Sequence, residues 1–308
     1  MKSLISYVPH GINEKLFYPI TDTDPKFEEF KQFKSEILRG KEYEFVLLFN
    51  SRNIRRKSIP DTMLAYKTFL DTLKDEDKDK CIFILHTQPV DDNGTNLLAV
   101  GEMLFGEDFE KRIIFSDKPL GTGGMNYLYN IADVTILLSS NEGWGLSMTE
   151  SLMCGTMIIG NVTGGIQDQM KFQDYEGNWI EIKDNFSTNH TGKYKKCGEW
   201  ALPIFPSNIS IQGSVPTPYI ADTRVDFLDA ATAISEARNF GKEERERRGL
   251  LGRDWVTSKE AGMSANFMAQ NFMMSMDYLF KNFQPRDRYQ IIKIVPRKKR
   301  YIPHPISY

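Results

Sequence analysis

Cysteine is scarce in this chain of 308 residues, and the three present, Cys81, Cys154 and Cys197, are odd in number and far apart. That excludes a disulfide framework, and no spacing of cysteines with the four histidines resembles a zinc site. A reducing, cytoplasmic compartment fits such a chain best. There the triplets Asn93-Gly94-Thr95 and Asn189-His190-Thr191 are accidental rather than glycosylated. Long apolar runs are missing too, so no membrane span is expected. The opening stretch from Met1 to His10 carries one lysine and breaks at Pro9, which is not the form of a signal peptide. Neither sign of charge is in excess: 39 basic against 41 acidic residues leave a formal net charge of −2. This gives no general case for binding nucleic acid or a membrane surface. No internal repeat is visible.

What is present is a globular composition, 41% apolar and 26% charged, enough to fill a core in one large domain or two small ones. Short apolar runs of strand length recur at 45–49, 81–85, 112–115, 134–138 and 156–160. Between the first two, Met63, Tyr66, Phe69, Leu70 and Leu73 fall on one helix face, with Pro60 in the first turn and Ser58 placed to cap it. Leu97, Leu98 and Met103 predict a second helix, and residues 125–131 a third. Strands that are apolar throughout, separated by helices, imply a parallel sheet covered on both faces. The expected fold class is α/β, a doubly wound parallel sheet, whose ligands sit beyond the carboxyl ends of the strands. That rule directs attention to the loops at 50–57, 116–124 and 139–147.

From 170 to 223 the periodicity fades into a stretch rich in Gly, Asn and Pro, with Trp179 and Trp200. It reads as an elaborated loop region within a domain spanning 40–240, and long loops in compact domains are often functional. Helical periodicity returns at 225–240 through Phe227, Ala230, Ala231 and Ile234. Residues 241–284 read as a C-terminal helical segment. Its stripe of Met263, Phe267, Met268, Phe272, Met276, Leu279 and Phe280 has the spacing of core or a helix interface. The tail at 285–308 is basic, with Arg297-Lys298-Lys299-Arg300. Most such runs are solvated, and contact with nucleic acid is the minor reading.

Chemistry concentrates in 139–150, which follows the fourth apolar run and precedes an apolar helix stopped at Gly155. Gly143 and Gly145 let backbone approach a ligand, and the amides of Leu146 and Ser147 open the helix. Free amides and the helix dipole together form an anion site suited to a diphosphate. Glu142 and Glu150 flank that site and can accept hydrogen bonds from hydroxyls of a sugar and a ribose. A plainer reading stands beside this one: Ser147-Met148-Thr149-Glu150 also spells a capping box, with Glu150 tying off the helix start. The first apolar run ends in a cationic loop, with Arg52, Arg55, Arg56 and Lys57. In a doubly wound sheet this loop lies beside the one at 139–147 at the switch point. Cations from one and amides from the other would then meet on a phosphate group.

In order along the chain, several pieces resemble one family. They are Val8-Pro9-His10-Gly11-Ile12-Asn13 with Phe17, Arg52 and Lys57, Ala132-Asp133, Glu142-Gly143-Trp144-Gly145-Leu146 with Glu150, and Cys154-Gly155-Thr156 leading to Gly164-Gly165. Together, over 7–17 and 45–165, they resemble the C-terminal, nucleotide-sugar-binding domain of the retaining GT-B glycosyltransferases that carry a Glu-x7-Glu motif. That large family includes bacterial mannosyltransferases, sucrose synthase-like enzymes and glycogen synthase relatives. The segments 163–170 and Pro218-Tyr219-Ile220 are similar to a subgroup common in viruses and phages. The resemblance implies a Rossmann-like donor domain and a nucleotide-diphosphate sugar as substrate, with no metal or other cofactor required. It also implies that Arg52 and Lys57 hold the diphosphate as leaving group, Glu142 the transferred sugar and Glu150 the ribose. Backbone at Gly143, Gly145, Leu146 and Ser147 would complete the phosphate site, and transfer would proceed with retention.

One departure stands out. Complete enzymes of this kind carry an acceptor-binding domain before the Pro-His-Gly segment, which here begins at Pro9, so residues 1–20 read as the end of an interdomain linker. The expectation is a fragment, a subunit with a partner chain, or a divergent protein. The apolar stripe at 263–280 would then face a missing neighbour or a second copy. Three rivals remain. One is a non-catalytic nucleotide-sugar-binding or structural module, such as part of a viral assembly. Another is a nucleotide-sugar epimerase, for which no acid and base residues are visible. The third is an oxidoreductase, for which Gly121-Thr122-Gly123-Gly124 follows the wrong strand. The sugar, the base and the acceptor are not legible; a polysaccharide, a lipid-linked sugar, a protein or a modified DNA base would all serve.

Overall fold

The computed structural model describes residues 6–180 and 188–284; the basic tail at 285–308 lies outside them. In chain order the elements are α1 (Phe27–Ile37), β1 (Phe45–Asn50), α2 (Ile59–Asp71), α3 (Asp75–Lys78), β2 (Cys81–His86), α4 (Leu97–Phe105), α5 (Phe109–Arg112) and β3 (Ile113–Phe115). There follow α6 (Thr122–Ile131), β4 (Val134–Leu137), α7 (Leu146–Met153), β5 (Met157–Asn161) and α8 (Gly165–Gln169). Then come β6 (Ala201–Ile204), β7 (Asn208–Ser214), β8 (Thr217–Arg224), α9 (Phe227–Asn239), α10 (Lys242–Thr257) and α11 (Ala265–Asn282).

Six strands form one parallel sheet in the order β3-β2-β1-β4-β5-β6. The central strands are buried nearly end to end, as a sheet covered on both faces requires. Helix α2 packs against α4 and α9, while α10 packs against α7 and β5. The sheet is therefore the doubly wound α/β arrangement the sequence implied. A buried ion pair fixes its amino edge: the Asp133 carboxylate accepts from the Val46 amide at 2.7 Å and from Arg245 Nε at 2.9 Å. Arg245 also donates to the carbonyls of Glu44 and Arg238, which ties α10 beneath β1 and β4.

Several local expectations change. Ser58 precedes α2 but does not cap it through its side chain. A short 3-10 turn at Arg55–Lys57 leaves Ser58 left-handed, at φ 50°, not in the extended form a side-chain cap uses. Helix α4 buries Leu97, Gly101 and Phe105, an i, i+4 row, whereas Leu98 and Met103 are exposed. The stretch 170–223 is not only loop. It contributes the sixth strand of the sheet and a two-stranded antiparallel hairpin, β7–β8, in which Tyr219 and Ile220 are exposed. Helix α11 buries none of its residues within the chain, and Phe272, Met274, Tyr278 and Phe280 are exposed. Of the predicted stripe, Met263 belongs to the core, Phe267, Met268, Met276 and Leu279 are half-buried, and Phe272 and Phe280 are bare. Among the described residues no helix is long and apolar enough to cross a membrane.

Candidate functional site

The chain winds outward from β1 through β2 to β3, then returns to lay β4 on the other side of β1. Ligands of open α/β sheets sit at such a reversal, beyond the carboxyl ends of the two strands. The loops after β1 and β4 meet there. The Ser140 amide donates to the Arg56 carbonyl at 2.7 Å, and the Arg56 guanidinium donates to the Asn141 carbonyl at 2.8 Å.

Glu142 is the hub of this junction. Its Oε2 accepts from Lys57 Nζ, from Arg56 at 3.0 Å and from Ser139 Oγ at 3.1 Å. Both Lys57 and Glu142 are buried, at 7% and 9% exposure. Burial alone would raise the Glu142 carboxyl, but the Lys57 and Arg56 charges override it and hold it below the usual carboxylate range. Burial likewise draws the Lys57 ammonium below its usual value, with Glu142 opposing.

Helix α7 opens at Gly145, whose φ of 84° is left-handed. A side chain there would meet strain and the Ile166 side chain. The Gly145 carbonyl accepts from the Met148 amide at 2.9 Å; the preceding first-turn amides, of Leu146 and Ser147, have no partner within a helix by geometry. Trp144, buried, is locked from behind: its indole donates to Thr149 Oγ1 at 2.9 Å, and its carbonyl accepts from Gln169 at 2.7 Å. The capping-box reading does not materialise, because Gly145 rather than Ser147 holds the cap position. The Glu150 carboxylate instead accepts from the Tyr129 hydroxyl at 2.7 Å, and that hydroxyl accepts from Asn50 Nδ2 at 2.6 Å. Burial raises the Glu150 carboxyl, and the Tyr129 hydrogen bond partly offsets this.

Two glycines let a third loop close on this frame. A Cβ at Gly164 would lie 1.8 Å from the Glu142 carbonyl oxygen, and one at Gly165 would lie 2.7 Å from Trp144. The opening segment closes the rim. His10 packs on Trp144 with ring centroids 5.7 Å apart, the Tyr7 hydroxyl donates to Asp168 at 2.6 Å, and Ile12 pairs with Ser264. The hairpin roots beside the same loop, through the Thr223 amide on the Ser140 carbonyl at 2.8 Å.

The result is a pocket of about 420 Å³ lined by His10, Asn50, Ser51, Lys57, Glu142, Trp144, Gly145, Leu146, Ser147 and Glu150. Of the residues singled out in the sequence, Lys57, Glu142, Gly145, Leu146, Ser147 and Glu150 are gathered here. Gly143 is exposed in the loop between Glu142 and Trp144 and does not line the pocket. Arg52 is held elsewhere, paired with Asp91 at 2.9 Å. Arg56, His10, Asn50 and Tyr129 were not given roles from the sequence. Arg56 carried a signal, the cationic run beside Lys57, whereas Tyr129 looked like any buried aromatic of a helix. A larger cavity, about 990 Å³, opens at the opposite edge of the sheet. Its cations are spent on carboxylates: Lys34 on Glu42, Arg238 on Glu44, Lys242 on Glu246 and Arg245 on Asp133. Chemically, the smaller pocket offers the Lys57 ammonium and helix-start amides to an anion, with Arg56 bonded to Glu142 beside it and two carboxylates able to accept hydrogen bonds.

Residues 120–188, which run from the start of α6 past α8 and include the Glu142–Glu150 stretch, match a known family. That family is glycosyl transferases group 1. No curated protein matches the chain. Solved structures do. A glycosyltransferase from Rickettsia africae ESF-5 superposes with a TM-score of 0.58 at 15% identity, covering 90% of this chain and 57% of that one. Sucrose-phosphate synthase from Thermosynechococcus elongatus gives 0.56 at 18%, covering 89% and 52%. Anabaena HepE in complex with UDP-glucose gives 0.55 at 12%, covering 89% and 57%. At these identities the likeness shows the fold alone, a Rossmann-like α/β domain similar to one found in these proteins. The chain spans about half the length of these proteins.

Proposed function

We propose that this chain is the donor-binding part of a glycosyltransferase, taking a nucleotide-diphosphate sugar at the pocket between β1 and β4. The observation that carries the reading is the convergence of Lys57 and Arg56 with the start of α7, Glu142 and Glu150 at the switch point of the sheet. Lys57, Arg56 and the amides of Leu146 and Ser147 receive the diphosphate, with Gly145 giving the backbone room to approach. Arg52, whose side chain is exposed, joins them by leaving Asp91. Glu142 accepts from hydroxyls of the transferred hexose and Glu150 from the ribose. Charge developing on the leaving diphosphate is stabilised by these cations and amides. Transfer runs with retention, the leaving phosphate helping to deprotonate the acceptor on the same face, and needs no metal.

The acceptor side is contributed by another polypeptide or by a domain outside these 308 residues. The exposed apolar face of α11 and the partial coverage of longer GT-B proteins support this. On this reading the chain alone binds donor and turns over little. Titration calorimetry with UDP-, GDP- and ADP-sugars tests it. Micromolar to millimolar binding of at least one is expected, weakened about tenfold or more by Lys57→Ala. Absence of binding to all of them would sink the proposal and favour a structural module that merely keeps the fold.

A further inference from the structure

The cations of the pocket are already engaged. Lys57 and Arg56 rest on the same oxygen, Oε2 of Glu142, which Ser139 Oγ also donates to at 3.1 Å. An entering diphosphate therefore competes with Glu142 for both of them. If they turn to phosphate, the Glu142 carboxylate, 9% exposed, is left with the Ser139 hydroxyl alone and with new negative charge beside it. A buried carboxylate stripped of its partners is costly.

A ligand compensates for this loss only if it brings hydrogen-bond donors. The phosphate oxygens of a bare nucleoside diphosphate are acceptors, so near Glu142 they only repel. A sugar carried on the same diphosphate brings hydroxyls, which can donate to the carboxylate as the cations leave it. We infer that Glu142 is a specificity-determining residue that selects a nucleotide sugar over the bare nucleoside diphosphate, by holding Lys57 and Arg56 until sugar hydroxyls replace them. The inference rests on the proposed donor site. It also gives product release a cause: once the sugar has been transferred, only Ser139 still donates to Glu142, and the carboxylate reclaims the two cations from the diphosphate.

Glu142→Gln tests this, since glutamine keeps the shape and an acceptor oxygen while removing the charge. Wild type and E142Q are titrated with pyrophosphate, UDP, GDP, ADP and the matching nucleotide sugars. The wild type should bind the preferred nucleotide sugar more tightly than its diphosphate. E142Q should bind the diphosphate about tenfold tighter than wild type does, as expected from removing one like charge at close range, and should lose the preference for the sugar. Diphosphate binding equal to or weaker than wild type's would overturn the inference while leaving the donor site standing. If neither protein binds any of these probes, the donor site itself falls, and this inference with it. Should E142Q fail to fold, the wild-type comparison decides: a diphosphate that binds as tightly as every sugar it carries overturns the inference.

Discussion

Asp168 offers a direct measurement of what burial does to charge in this fold. It lies on α8, behind Trp144, and is 6% exposed. Its Oδ2 accepts from the Tyr7 hydroxyl at 2.6 Å, while its buried Oδ1 meets no hydrogen-bond partner among the described residues. Burial, only partly opposed by Tyr7, pushes the carboxyl from 3.8 up to about 6. Two units correspond to about 3 kcal/mol. The sign follows from proton binding: the folded chain holds this proton more tightly than the unfolded chain. The favourable contribution is thus complete below about pH 4, fades as pH rises through the native value near 6, and is gone above it. Asp168→Asn keeps an acceptor for Tyr7 and removes the titration. Urea unfolding of both proteins across the range from about pH 4 to about pH 8 should show D168N gaining up to about 3 kcal/mol at the alkaline end and nothing at the acid end. A stability difference that stays flat across the range would refute the reasoning, as would a D168N protein weaker than wild type at high pH.

Other outcomes follow from the same geometry. Tyr129→Phe removes the hydroxyl donor of Glu150 and should push that carboxyl further up. Nucleotide binding by the variant should then weaken as pH falls toward neutrality, while the wild-type profile stays flatter; identical profiles count against the role given to Tyr129. Gly164→Ala drives a Cβ to within 1.8 Å of the Glu142 carbonyl oxygen at a φ of 49°. It should cost about 3 kcal/mol and weaken donor binding with it, and an unchanged melting temperature would contradict the packing described. Arg245→Met strands Asp133 without its counterion and should cost about 3–5 kcal/mol by urea titration, part of it recovered when Asp133→Asn is added. Phe280→Ser on the bare face of α11 should change the stability of this chain by less than about 0.5 kcal/mol; a loss several times larger would mean that the face is packed after all.

Legibility in the sequence followed the range of the forces involved. The strands of the sheet core were readable because a parallel sheet buried on both faces demands unbroken apolar runs such as those at 45–49 and 81–85. Strand β6 was not readable, since Ala201–Ile204 is four residues long and contains Pro203, tolerable only because the strand closes the edge of the sheet. At the site, the glycines and carboxylates of 142–150 could be read because their spacing is local. The partner of each carboxylate could not. Tyr129 reaches Glu150 from another helix, and Asp91 draws Arg52 away from the pocket. Neither pairing leaves a trace in sequence spacing. The false capping box illustrates the same limit: Ser147 has the right residue type, yet Gly145 starts the helix because the loop needs a left-handed residue where it enters α7.

The charge balance of the pocket explains why its two carboxylates need different surroundings. Lys57 and Arg56 supply two positive charges, and the start of α7 supplies about half of one. A diphosphate brings negative charge of its own, so a carboxylate counted against the cations weakens the attraction without reversing it. Glu150 is kept out of that competition by Tyr129, whose hydroxyl holds it away from the cations, and by burial, which favours its protonated form. Glu142 has no such restraint and sits directly on Lys57 and Arg56. With its charge included, the pull on a bare diphosphate is weaker, and hydroxyl donors on the ligand make up the difference. On this inference the arrangement couples sugar recognition to phosphate binding.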